Sequence, residues 1–386
     1  MVLTWDQDPT ELYPNIVLGD TVRELVAKRL TPHTDEPRAN EHQFPEHNIR
    51  TLADAGLLGL KAPTEYGGRA LDTLNVTYAV EQIARVAPAT AFILLLHTLT
   101  VNRIAQAGTD EQKRRWLPRI LEGRLGASAW SESGVGADKS VLNTKAFCEN
   151  GEWHLNGQKA FCTGAGHAGV YMVMTDTTDG KGFFLVDADN PGLRIGEPMD
   201  SMGLQGTHSG VVGLDNALVP DSDRVGQPGH IGPIINLDMG SGLHSGIVAT
   251  GIALGAFGRL IDIVRANNSF DKYESVRVRV SQLAATLSVM RSHAYALASM
   301  ASIEGGPPVE AATMTAKLFL SEHALQMTTD AIAIAGKAGY LRENGLERLH
   351  RDALGIVIAA PINGQILGSL GESLRHADRS SHLYKV

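Results

Sequence analysis

Between Gly126 and Gly229 the chain changes its pattern, and that change limits the folds open to it. On either side, apolar residues recur three and four apart, as in TVRELVAKRL and NIRTLADAGLLGL. That is the spacing of one helix face. Within the stretch, short alternating runs take over: TKAFCE, EWHLN, GVYMVMT, KGFFLVD and SGVVGLDN. Glu149-Asn150-Gly151, Asn156-Gly157 and Asp179-Gly180 supply turn signals between them. Helical, then β, then helical predicts an α+β fold, with a small antiparallel β-barrel inserted between two helical units. The boundaries fall at 1–125, 126–230 and 231–386.

A chain of 386 residues fits two or three packed units. Its net charge of −8 argues against a nucleic-acid surface, which needs clustered cations. Lys113, Arg114 and Arg115 read as a solvated helix face. Two cysteines, Cys148 and Cys162, give neither a disulfide framework nor metal-ligand spacing, and they suit a reducing cytosol. The opening MVLTWDQDPTELYP lacks the basic and apolar regions of a signal peptide. The apolar run from Ile247 to Val264 carries glycines, Arg259 and Asp262, so it reads as a buried helix rather than a membrane span. A cytoplasmic protein without membrane or metal partners is expected. ATAFILLLHTLTVNRIAQAG is apolar nearly all round and belongs at the centre of the first unit.

No phosphate-binding loop, dinucleotide fingerprint, zinc-helix motif or nucleophile elbow is present. SGVGAD taken alone is equally a plain loop between helix and strand. Five segments in order say more: FPEHNIRTLADAGLLGLKAPTEYGG, GTDEQKRRWLP, SESGVGAD, NGQKAFCTGA and GKAGYLRENGLERLHRDA, spanning Phe44 to Ala353. Together they resemble the acyl-CoA dehydrogenase family. The third segment is similar to its Thr-Glu-Pro-x-x-Gly-Ser-Asp, and the fourth to its Asn-Gly-x-Lys-x-Trp-Ile-Thr-Asn. The resemblance implies an N-terminal all-α domain, a middle antiparallel β-barrel domain and a C-terminal four-helix bundle. It also implies FAD as cofactor.

Carried over by position, the resemblance puts the pyrimidine end of FAD against Ser131, with Ser128 and Trp130 nearby. Gly136 and Ala137 fall in the loop toward the pyrophosphate, where Ala137 replaces the family's serine. Phe161 falls where an aromatic covers the flavin, and Thr163 where a hydroxyl approaches the hydride-accepting N5. By itself Phe161 is also an ordinary barrel aromatic. The family's Arg-x-x-Phe-Gly, donated by a neighbouring subunit, appears as Asn267-Asn268-Ser269-Phe270-Asp271. Its Gln-x-x-Gly-Gly appears as Ala333-Ile334-Ala335-Gly336-Lys337. Lys337 is expected to replace the missing arginine as the cation facing the pyrophosphate, the alternative being a solvated lysine after a helix-capping glycine.

The largest departure is the base. Family members draw an α proton with a glutamate soon after Arg-Asp-Ala, and here that position is Ala360, or Pro361 with a one-residue shift, neither able to take a proton. A minority carry the glutamate on an earlier helix, at a position read here as Ser245. His244 and Asp238 are the nearby titratable side chains. His244 has a suitable pKa range for a base, and it is also an ordinary structural histidine near a helix start.

Three functions follow. One is an FAD-dependent dehydrogenase of an acyl thioester carried by CoA or an acyl carrier protein. It would use an unorthodox base, with His244 as candidate, or a substrate acidic enough to do without one, and would pass electrons to an electron-transfer flavoprotein or oxygen. The second is a flavin monooxygenase or oxidase on the same fold. The third is a non-catalytic subunit of a heteromer. A homo-oligomer, dimer or tetramer, is expected from the resemblance, with a heteromer as the alternative.

Overall fold

The computed structural model describes residues 2–30, 41–134, 141–304 and 308–376. Before the strands come helices α1 (Gly19–Glu24), α2 (Glu46–Asp54), α3 (Thr73–Ala84), α4 (Pro88–Ala107) and α5 (Asp110–Leu121). Local chemistry sets their starts. Asp72 accepts from the Asn75 amide at 3.0 Å, and Thr109 and Gln112 exchange side-chain and backbone bonds as a capping box. As its sequence predicts, α4 is buried on nearly every side.

The middle of the chain forms β1 (Leu125–Ala129), β2 (Lys145–Glu149), β3 (Glu152–Cys162), β4 (Ala168–Thr177), β5 (Gly180–Asp187), β6 (Leu193–Pro198), β7 (Gly210–Pro220) and β8 (Arg224–Val225). The pairing order is β6-β7-β3-β2-β4-β5-β8, with β1 on β4. The sheet is antiparallel except where β1 and two residues of β2 run parallel to β4. β1 enters from α5 rather than through a hairpin, which frees it from antiparallel pairing. β4 and β5 are covered on both faces. Tyr171, Val173, Phe184 and Val186 fill the barrel interior. Val170, Met172, Phe183 and Leu185 pack on Val101, Ile104 and Trp116 of α4 and α5. Their nearly continuous apolar sequence follows from that double burial.

Two of the three turn signals close hairpins. Asn156-Gly157 does not, because β3 runs straight through it with a register shift against β7. Gly157 has φ +143°, and a Cβ there would lie 2.6 Å from the Thr144 Cα. The glycine serves a close backbone crossing inside a strand rather than a turn.

After the sheet come α6 (Gly232–Gly240), α7 (Gly246–Ala266), α8 (Ser269–Lys272), α9 (Glu274–Ala301), α10 (Glu310–Ala335), α11 (Lys337–Tyr340), α12 (Leu346–Ile358) and α13 (Asn363–Arg375). α7, α9, α10 and α12 pack together as the bundle. Gly251 and Gly255 let α7 press on α3, since a Cβ at either would meet a backbone carbonyl of α3 or its end within 2.4 Å. Arg291 of α9 pairs with Glu81 of α3 at 2.8 Å and donates to carbonyls of Thr4 and Gln7, stitching bundle to first unit. Among the described residues, α4 and α7 are long and apolar enough to cross a membrane, yet both are largely buried inside the fold.

Candidate active site

Two polar segments converge at the barrel's edge because a buried ion pair ties them. Lys159 Nζ donates to Glu132 Oε1 at 2.6 Å, and neither side chain is more than 2% exposed. Glu132 also accepts from the amides of Asn143 (2.6 Å) and Thr144 (3.0 Å). Burial alone would raise the Glu132 pKa, but Lys159, Thr144 and Asn143 outweigh it and hold the carboxyl down to about 2. The Ala160 amide donates to the Ser131 carbonyl at 2.8 Å, which fixes Ser131 against β3. The sequence shows Glu132 and Lys159 inside two motifs; nothing in it says that they bond to each other.

At the end of β3, Phe161 has φ +54° and is 68% exposed, an unusual conformation for an aromatic residue. Thr163 follows a buried Cys162, and its Oγ1 lies 3.3 Å from Ser209 Oγ. Ser209 Oγ is in turn 3.0 Å from Thr207 Oγ1. Three hydroxyls thus form a row that begins two residues along the chain from a solvent-facing aromatic ring. Sequence reading found Thr163 and missed the other two.

Ser128 and Trp130 face inward. Arg103 Nη1 donates to Ser128 Oγ at 2.6 Å, and the Arg103 guanidinium lies 4.3 Å from the Trp130 ring centre. Gly136 and Ala137 lie outside the described residues.

The bundle side contrasts with this. The turn from α12 to α13 carries an exposed Ala360 and a half-buried Pro361, neither able to accept a proton. Beneath that turn, Lys317 Nζ donates to Asn363 Oδ1 at 2.6 Å and to the Val357 carbonyl at 3.3 Å. Burial lowers its pKa to about 8.

His244 is 6% exposed. Burial, then the charges of His293 and Lys317, push its pKa down to about 3. The ring is therefore neutral and a feeble proton acceptor near neutrality. Its Nδ1 and the Ser245 hydroxyl lack hydrogen-bond partners among the described residues. Asp238 is occupied by Arg103, with contacts of 2.9 and 2.5 Å.

Phe270 packs partly against the core while Asn267 and Asn268 are exposed. Arg277 Nη1 folds back onto the carbonyls of Phe270 (2.8 Å) and Asp271 (3.0 Å), a cation beside this segment that the sequence reading passed over. Ala333, Gly336 and Lys337 are exposed where α10 gives way to α11.

The LERLHRDA run is a joint between units. Arg348 and Arg351 both reach Glu41, at 2.8 and 3.0 Å. Arg351 Nη1 donates to the Met202 carbonyl at 2.7 Å, and the Leu204 amide donates to Asp352 at 2.6 Å.

Sequence patterns of three domains match this chain in order: the acyl-CoA dehydrogenase N-terminal domain over residues 16–124, the middle domain over 127–217 and the C-terminal domain over 241–360. The chain belongs to the acyl-CoA dehydrogenase family. An acyl-CoA dehydrogenase of Bacillus subtilis is 30% identical over 352 residues, covering 88% of this chain and 92% of that protein. An NADH-dependent acryloyl-CoA reductase of Anaerotignum propionicum is 31% identical over 349 residues, covering 87% and 88%. Butyryl-CoA dehydrogenase from Megasphaera elsdenii superposes with a TM-score of 0.86 at 25% identity, covering 96% of this chain and all 100% of that one. A prolyl acyl carrier protein oxidase superposes with a TM-score of 0.85, over 95% of this chain and 99% of that one; its 22% identity speaks to fold alone.

As an acyl-CoA dehydrogenase family member, the chain is a flavoprotein oxidoreductase with FAD as cofactor. The residues present fit that group at one end. The exposed Phe161 ring, the hydroxyl row and the locked Ser131 segment form a ready surface for a polar aromatic ring system. At the other end, the segment from Asn267 to Asp271 carries no arginine.

Proposed function

We propose that this protein carries out FAD-dependent α,β-dehydrogenation of an acyl thioester whose α proton is acidified by a further substituent. The second clause is supported by Ala360: at the position read as that of the family glutamate stands a methyl group, and the buried Lys317 beneath the turn is bonded to Asn363 and Val357. A proton that leaves without a positioned carboxylate must already be acidic. When bound, FAD supplies the hydride acceptor for the β position. The chain's own groups do the rest. Thr163, backed by Ser209 and Thr207, offers a hydroxyl where negative charge develops. Phe161 covers the ring system, and Ser131 holds the pyrimidine end.

In this reading the thioester handle is CoA or carrier-protein phosphopantetheine. Electrons pass to an electron-transfer flavoprotein or to oxygen, and the protein works as a cytoplasmic homo-oligomer. Lys337 of a neighbouring subunit faces the pyrophosphate. The test is the visible spectrum of the purified protein, then anaerobic titration with acyl thioesters. Bleaching by thioesters bearing an α-acidifying group, but not by a plain saturated chain, is the expected result. Equal bleaching by both would overturn the substrate clause. A protein that neither carries nor takes up flavin would overturn the whole proposal.

A further inference from the structure

Arg103 is the one charged side chain along Pro88–Ala107, and it is 3% exposed. Its guanidinium is engaged on several sides. Nε donates to Asp238 Oδ1 at 2.9 Å, Nη2 to Oδ2 at 2.5 Å and Nη1 to Ser128 Oγ at 2.6 Å. Ser128 lies 3.1 Å from Thr100 Oγ1, which itself donates to the Leu96 carbonyl at 3.1 Å. The ordered chain therefore runs Arg103, Ser128, Thr100, Leu96, and the Arg103 plane stacks over Trp130. Helix α4, helix α6 and strand β1 meet at one buried ion pair.

Packing does not require this arrangement. A buried ion pair is commonly no more stable than an apolar set of equal volume. Yet Ser128 and Trp130 lead directly into Ser131, the residue assigned above to the pyrimidine end of FAD. A fixed cation on that side stabilises the negative charge that the ring gains on reduction, and a low-dielectric surrounding strengthens the effect.

We propose that the Arg103–Asp238 pair sets the reduction potential of the bound flavin. Arg103 is a positioning and electrostatic residue that raises the potential, and Asp238 is the counter-charge that moderates it. This rests on the FAD assignment above. The signs follow from the charges: removing Asp238 alone exposes the flavin to an unmoderated cation, and removing Arg103 alone leaves a carboxylate.

The experiment is dye-coupled reductive titration of the purified holoprotein and its variants. Asp238→Asn should raise the midpoint potential and Arg103→Met should lower it. Each should change the reduction equilibrium by about tenfold, which is roughly 30 mV for a two-electron couple. The double variant should return close to the parent value, and Arg103→Lys should stay near it. Should Arg103→Met fail to fold, the isosteric Asp238→Asn carries the test alone. Flavin bound normally with no shift in Asp238→Asn, or with both single variants shifting in the same direction, would overturn the proposal while sparing the FAD assignment. A parent protein that takes up no FAD would overturn both.

Discussion

The barrel side and the bundle side of this site are built on opposite plans. On the barrel side, a buried charge pair ties two segments together: Lys159 bonds Glu132, and the Ala160 amide donates to the Ser131 carbonyl. On the bundle side, buried polar groups serve the helices and the turn between them. Lys317 braces the turn around Ala360 through Asn363 and Val357, and His244 sits within the helices. The barrel side thus presents a locked polar surface, whereas the bundle turn carries Ala360 and Pro361, neither of which can take a proton.

The sharpest break should come at the Lys159–Glu132 pair. Lys159→Met strands a buried carboxylate, which costs about 3–5 kcal/mol when one partner of a buried pair is removed. Thermal midpoint and flavin content should both fall. Lys159→Met combined with Glu132→Gln should recover much of the stability, since the uncompensated charge is gone. Equal losses in single and double variants would show that the segments are held by something else.

Next in size is the gain expected from Ala360→Glu. A positioned general base is worth typically 10²–10⁴-fold, so anaerobic bleaching by a plain saturated acyl thioester should accelerate by at least about a hundredfold. No acceleration, with flavin bound, would mean that this turn does not face the substrate.

How much of this could be read in advance differs by region. The strands of the middle unit were legible because alternation and Gly-containing turns are local signals, and GVYMVMT and KGFFLVD fall on β4 and β5. Asn156-Gly157 misled because a glycine demanded by the Thr144 backbone looks, in sequence, like a glycine demanded by a turn. Thr163 and Phe161 came from motif resemblance. Ser209, Thr207 and Arg103 join the site through tertiary contacts across 46 residues or fewer from Thr163 and 25 from Ser128, and no local pattern marks them. The LERLHRDA run served as a landmark, while its bonds to Glu41, Met202 and Leu204 are visible only once the units pack.

The third prediction concerns His244. Its pKa lies below the ordinary histidine value of 6.5, at about 3, so the unfolded chain binds more protons between those limits. Stability from this group is fully present above about pH 6.5 and is lost as pH falls toward 3. The loss is at most about 1.4 kcal/mol per pH unit. His244→Leu should flatten part of that acid loss in pH-dependent melting and leave flavin bleaching unchanged. Buried His97, with a pKa of about 4, retains its own share. Lost bleaching in this variant would restore His244 as the base.

The smallest effect belongs to two cations of the bundle, the exposed Lys337 and the half-buried Arg277. A solvent-exposed charge contributes about 0–1 kcal/mol, so Lys337→Ala should weaken FAD retention by no more than about fivefold in equilibrium dialysis. Comparing it with Arg277→Ala decides which cation stands in for the family's arginine. Lys337 is exposed, whereas Arg277 is already spent on the Phe270 and Asp271 carbonyls. The larger loss should therefore come from Lys337, and it should shrink as salt is raised, because screening acts on exposed charges first. Undiminished retention in Lys337→Ala at low salt would remove the lysine from the flavin site. Arg277 would then be the remaining candidate cation on the bundle side.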